Sequence, residues 1–288
     1  MGGNESICTD ARLICSRNGE QRSRFRRSRP LLFGDTPPLR ALLGTLPVWD
    51  GIWPACAGTF SLIMTTMLLA IGPGIGCGIY LAEYASPSMK RLFGVIMDIL
   101  AGIPSIVMGI FGFTLILFLH RLGIAGASPG ILLAGGCLAL LVLPSLVVTT
   151  RTALEGLPAS LRLTGVALGL TRSQVVRHIL VPQASRGILG GIMLAMGRAA
   201  EDTAVILLTG VVANAGLPSG LAVRFEALPF FIYYTAAQYQ TPEELERGFG
   251  ASLTLLLLSG GLLLAAWWLH ARYQRRKDAC SLREGVSA

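Results

Sequence analysis

Five apolar stretches, each near or above the roughly 20 residues a helix needs to cross a bilayer, leave this chain few folds to choose from. They lie at about 55–82, 92–119, 130–150, 184–212 and 249–269. In hydrocarbon the backbone must satisfy its own polar groups, so each stretch reads as a spanning helix. Composition agrees: 52% of residues are hydrophobic and only 14% are charged, and the mean hydropathy is +0.62. These values exclude a soluble domain of this length. The expected fold class is all-α, a polytopic helical membrane protein with about five spanning helices.

Irregularities inside the spans are also legible. Gly72, Pro73, Gly74, Gly76 and Gly78 weaken the first helix but permit close packing. Pro104 should kink or break the second span near its middle, and Pro144 falls near one end of the third. A short polar link, EYASPSMKR at 83–91, joins the first two spans. Residues 213–246 read as a mixed loop whose aromatic patch, LPFFIYY at 228–234, suits an interfacial helix or belt. Residues 1–54 carry RSRFRRSR at 22–29 and five prolines, with no apolar run long enough to cross or to serve as a signal peptide core. They are expected to form a poorly ordered basic tail. Residues 55–275 then make one transmembrane domain and 276–288 a C-terminal tail.

The net charge of +8 comes mostly from arginines in the two tails and a central island, so it marks membrane sides and points to lipid, not to nucleic acid. Six cysteines at 8, 15, 56, 77, 137 and 280 show no ligand spacing, so neither a disulfide framework nor a metal site is expected, and no cofactor. By the positive-inside rule Arg272, Arg275, Arg276 and Lys277 put the C-terminus in the cytoplasm. Counting back places the island of Arg151, Arg162, Arg172 and Arg177 there, together with Lys90 and Arg91. The same count leaves residues 1–54 outside, against the rule for an arginine-rich tail, so either the tail is translocated or a span is missing.

The island itself, EGLPASLRLTGVALGLTRSQVVRHILVP at 155–182, reads as two short helices around a corner. Leu157, Leu161, Gly165 and Leu168 fall on one helical face, and Gly169 suits the left-handed residue that ends such a helix. Thr171 with Gln174 is a capping-box pair that restarts a helix through Val175, Val176, Ile179 and Leu180, which Pro182 should stop. An elbow of this kind can push on a soluble partner, or it can rest on headgroups as an ordinary amphipathic loop.

The spacing from Leu163, Thr164 and Gly165 to Gly169, Ile179 and Pro182 resembles the coupling loop of ABC importer permeases, whose pattern runs Glu-Ala-Ala, Gly, Ile, Leu-Pro. Here Leu163 stands in place of the glutamate. IYLAEYA at 79–85, LAGIPSIVMGIFG at 100–112 and GRAAEDTAVILLTG at 197–210 are similar to the PstA-type permeases of phosphate ABC importers, a likeness covering about residues 33–275. That resemblance implies a type I permease bundle in the cytoplasmic (inner) membrane, with an ATPase-coupling elbow contributed by Leu163, Thr164, Gly165, Gly169, Thr171, Gln174 and Pro182. It implies as partners a second, homologous permease, two ATP-binding subunits and an extracytoplasmic phosphate-binding protein. Family members have six spans, the first preceding the match, so the five found here lead to the expectation of an atypical or truncated N-terminus.

Arg198, Glu201 and Asp202 lie three and four residues apart in the fourth apolar stretch and are expected on one helix face. At the bilayer centre each charge costs roughly 2.5–3.5 kcal/mol on insertion scales, so that face should look at protein or water. Arg198 either pairs with Asp202 to steady the bundle or lines the path of an oxyanion, with Thr203 beside it. The family pattern here is Arg-x-x-Gly-Glu-Thr-Ala; Asp202, Thr203 and Ala204 follow it with the glutamate shortened, Glu201 replaces the glycine, and Val205 stands where proline is usual. No glycine loop ending in Lys-Ser/Thr occurs, so the chain is not expected to hydrolyse ATP or to be an enzyme. The function expected is import of inorganic phosphate through an ABC permease. Molybdate or sulfate as cargo, an ion-coupled secondary carrier and a membrane enzyme using the same polar cluster stay open.

Overall fold

In the computed structural model the described residues are 51–122, 129–212, 216–217, 220 and 223–286. Nearly all of the expected basic tail at 1–54 lies outside them, as do the last two residues of the chain. Pro54–Ala288 forms one unit.

Helix α1, Trp53–Glu83, carries Pro73 without ending. Its buried hydroxyls turn back onto their own helix, Thr59 donating to the Ala55 carbonyl and Thr66 to that of Leu62, both at 2.8 Å. Helix α2, Pro87–Gly102, begins at Ser86 with a proline in its first turn. It ends before Pro104, and α3, Ser105–Arg121, leaves at 92° to it. The expected kink at Pro104 is thus a sharp break, because proline has no N–H to give and crowds the carbonyl one turn back.

Helix α4, Ile131–Glu155, keeps Pro144 within it and is the most enclosed of the apolar helices. Glycines let neighbours approach it closely. A Cβ on Gly74 of α1 would fall 2.8 Å from Leu146, and one on Gly78 would fall 2.6 Å from Thr150. The island follows as α5, Ala159–Ala167, and α6, Arg172–Val175.

Pro182 does not stop this second helix. The chain passes through a π-helical turn, Val176–Leu180, in which the Val181 N–H reaches back to the Val176 carbonyl, and continues as α7, Val181–Glu201. The wider turn gives room for the proline ring and its missing donor, so the elbow and the next span form one continuous helical run.

The apolar stretch expected as one span over 184–212 is instead broken. Helix α7 ends at Glu201, Asp202 is extended, and α8 covers only Ala204–Thr209. A loop closed by an isolated bridge between Val211 and Phe225 leads to α9, Leu228–Gln238, which contains the aromatic patch. The last helix, α10, runs Pro242–Val286 and so continues through the region expected as a tail. Among the described residues, four helical runs are long and apolar enough to cross a membrane, and the bent α2–α3 pair makes up to five.

The core lies around α4 in tiers. Ile63, Met67, Ala70, Val142, Leu146, Ala195 and Ala199 form the middle tier, between one that includes Leu138, Val205 and Phe225 and one that includes Leu154, Val176 and Leu180.

Candidate functional site

Depth is set by how α7 packs on α4. A Cβ on Gly187 would lie 2.5 Å from that of Ala153, and one on Gly191 would overlap Thr149. The two helices therefore run antiparallel in constant register. Carried about two turns onward, that register brings Arg198 level with Val142, close to the midpoint of α4. The shared tier of Ala195, Ala199, Val142 and Leu146 agrees.

At this level the two sides of α7 differ. Ala195, Ala199 and Ala200 are buried, whereas Leu194, Arg198 and Glu201 are exposed. Cβ atoms on Gly190 and Gly197 would meet nothing within 4 Å. Arg198 and Glu201 thus share one open face at i, i+3 spacing, and neither makes an ion pair among the described residues.

Asp202 does not share that face in the way the spacing predicts. Its Oδ1 accepts a hydrogen bond from the Val205 N–H at 2.9 Å, which caps the start of α8. Of the two alternatives for Arg198, the pair with Asp202 is not formed, because the carboxylate is used where the helix breaks. Thr203, half-buried, sits in the break and reaches the Glu201 carbonyl only at 3.5 Å.

The second break, at Ile103–Pro104, is bracketed at a similar depth. Before it Met97 packs with Val147 and Leu143; after it Met108 joins Leu138 and Leu141, and Gly112 meets Cys137. Interrupted helices within hydrocarbon are tolerated where they face protein or line a wet cavity. Gly109 and Gly112 then let α3 lie alongside α8, against Ala204–Val205 and Thr209 respectively.

The elbow has the expected corner. Gly169 takes φ +71, and the Leu170 and Gly169 N–H groups reach the Gly165 and Val166 carbonyls at 3.1 and 2.9 Å. This is a glycine-terminated helix end whose last carbonyls are satisfied. Gln174 Oε1 accepts from the Thr171 N–H at 2.8 Å and from its hydroxyl at 2.9 Å. Gly165 is where the two helices meet, since a Cβ there would fall 2.6 Å from Val175.

Leu168, however, is not on the inner face with Leu157, Leu161 and Gly165. It is 71% exposed, and with Leu163 and Val166 it forms an outward apolar surface. Thr164 lies beside them, also exposed.

Pattern reading missed how the elbow is held. Arg162 donates to Glu83 Oε1 from Nη2 at 2.6 Å and from Nε at 3.1 Å. It also donates to the Leu154 carbonyl in the last turn of α4, at 3.0 Å, and to the Leu157 carbonyl just past that helix, at 3.2 Å. Hydrogen bonding to Glu83 raises the Arg162 guanidinium above its usual range.

Beside this pair Lys90 bonds the Ala82 carbonyl at 2.9 Å and Glu155 at 3.2 Å, while Arg151 meets Glu155 at 3.0 Å. The Arg172 guanidinium lies 5.4 Å from the Tyr84 ring centre, and Tyr84 stacks on Tyr80. A carboxylate ending an apolar span was the available signal for Glu83, but its partner is 79 residues away.

Residues 74–278 match the family described as binding-protein-dependent transport system inner membrane component. The phosphate transport system permease protein PstA 1 of Mycobacterium tuberculosis strain H37Rv is 32% identical over 242 residues, 82% of this chain and 76% of that protein. The phosphate transport system permease protein PstC of Mesorhizobium japonicum is 34% identical over 178 residues, 55% of this chain and 54% of that protein. Among solved structures, an inward-facing MetNI methionine ABC transporter aligns with TM-score 0.54 at 18% identity, over 75% of this chain and 97% of that one. The last likeness concerns the fold alone.

Proposed function

Because the chain belongs to the binding-protein-dependent transport system inner membrane components, the permease subunits of ABC importers, we propose that it forms part of the route by which inorganic phosphate enters the cell. As a member of that family it is a multi-pass protein of the inner membrane and a transport subunit, and the family works with a second permease and ATP-binding subunits. The finer reading adds phosphate as cargo, ATP hydrolysis on the partner chains, an extracytoplasmic binding protein that delivers the anion, and a cytoplasmic C-terminus. Relatives named as phosphate permeases at 32% identity support the cargo.

The observation that carries this reading is an Arg198 that is unpaired among the described residues, on an open face at the middle of the bundle. An ionised guanidinium there is costly against lipid, so the face must meet water or the partner permease. A cation on such a path attracts an oxyanion, and Glu201 on the same face keeps the attraction from becoming a trap. The elbow's outward surface of Leu163, Val166 and Leu168 suits a cleft in an ATP-binding subunit, so that closure of the ATPase swings the attached spans.

Glu201 in place of a family glycine lowers the local potential for any anion, so the polar face by itself does not separate phosphate from a second oxyanion such as molybdate or sulfate. The test is uptake of labelled phosphate by cells with and without this gene, challenged by excess unlabelled phosphate, molybdate or sulfate. Loss on deletion with competition by phosphate alone is expected. Uptake unchanged by deletion rejects phosphate.

A further inference from the structure

Two neighbouring residues at the end of α1 each hold a different helix of the elbow. Glu83, 7% exposed at its side chain, takes Arg162 of α5 in a two-nitrogen contact at 2.6 and 3.1 Å. Tyr84 takes Arg172, which opens α6, over its ring at 5.4 Å. The elbow therefore grips α1 on both sides of its Gly169 corner. Its covalent continuation into α7 passes instead through the π-helical turn at Val176–Leu180.

We propose that Glu83 and Tyr84 are the positioning residues through which movement of the elbow is delivered to α1, and through α1 to the mid-depth face. A rigid body can be translated by one contact, but two contacts on separate helices are needed to make it turn with its driver. Here the two contacts differ in kind, a charge-assisted fork and a cation over a ring face, and both arginines reach α1 from separate elbow helices. Arg162 additionally ties the end of α4 to the same point through the Leu154 carbonyl. From there the close contacts of Gly74 with Leu146 and of Gly78 with Thr150 lock α1 to α4. Those of Gly187 with Ala153 and Gly191 with Thr149 lock α4 to α7, the helix that bears Arg198. Interfaces packed this tightly transmit displacement without absorbing it.

The inference rests on the reading that the elbow docks an ATP-binding subunit, and its test separates the two. The full complex, with native cysteines of this chain replaced by serine, carries a spin label at Leu68, an α1 position 82% exposed. ATP binding is expected to change the label's environment in the native-clamp complex. Glu83→Gln with Tyr84→Ala is expected to leave ATP hydrolysis near the native rate while the label response and anion uptake both fall about tenfold or more. Tyr84→Phe, which keeps the ring face, and Glu83→Asp, which keeps the carboxylate, are expected to retain the response; ATP hydrolysis near the native rate in the double variant excludes mere misfolding.

A full label response in Glu83→Gln with Tyr84→Ala overturns the proposal, as does the absence of any ATP response in the native-clamp complex. A native response without phosphate uptake supports the clamp and rejects the phosphate reading.

Discussion

Asp202 accepts the N–H of Val205 at 2.9 Å, and that bond turns a residue placed to neutralise Arg198 into the cap of the helix beyond. The consequence is an arginine with no ion-pair partner among the described residues, at mid-depth of a membrane bundle. Asp202→Asn keeps a side-chain acceptor and is expected to leave stability unchanged. Asp202→Ala removes the cap and should cost about 1 kcal/mol, read as a lowered unfolding temperature of the purified protein. If Arg198 depended on Asp202 for its charge balance, the asparagine variant would be as damaging as the alanine one.

Gly169 faces open space, so only its backbone, at φ +71, resists substitution. An L residue in that region costs roughly 1–2 kcal/mol, and a side chain large enough to fill the corner also spoils the docking surface. Gly169→Ala should lower the unfolding temperature modestly, while Gly169→Arg should let the ATPase run without import. The ratio of ATP hydrolysed to anion imported reads this directly; a normal ratio in Gly169→Arg removes the elbow from the coupling role.

Gly190 and Gly191 are neighbours on α7 with opposite surroundings. Valine at Gly191 would drive into Thr149, whereas valine at Gly190 meets nothing within 4 Å in this chain. Overpacking of this kind costs about 1–3 kcal/mol. The yield of monodisperse protein from detergent should fall for Gly191→Val and hold for Gly190→Val. Equal yields would contradict the register that places Arg198 at mid-depth.

Much of this was legible in the chain because the signals are local. The left-handed glycine at 169, the Thr171–Gln174 cap and the break at Pro104 each depend on one or two adjacent residues and a backbone preference. The elements that read wrongly involve competition or distance. Pro182 was expected to end a helix, but five residues of π turn accommodate it, a solution that no periodicity reveals. The apolar run ILLTG hides the break at Asp202, because hydropathy does not register a side chain that caps the next helix. Leu168 follows the inner-face spacing until the glycine corner turns the chain and leaves it outside. Glu83 and Arg162, 79 residues apart, meet only once α1, α4 and the elbow are packed.

Two arginines of the island make a paired contrast. Arg162→Ala strands the buried Glu83 carboxylate and frees the Leu154 and Leu157 carbonyls, for which a cost of about 3–5 kcal/mol is expected. Arg151→Ala removes one partner of a Glu155 that is 36% exposed and still holds Lys90, for which about 0–1 kcal/mol is expected. Thermal unfolding of the two variants should separate them clearly. Similar melting would mean that the elbow is not anchored through Glu83.

The role of Arg198 in the anion's path is tested most directly by anion uptake in the reconstituted complex carrying Arg198→Gln, run beside ATP hydrolysis by the same vesicles. Glutamine keeps much of the side chain's length and polarity but removes the only unpaired cation on the open mid-depth face of α7 among the described residues. Uptake abolished, with assembly and ATP hydrolysis retained, is the predicted result. Uptake at the native rate would contradict the assignment of that face to the anion's path.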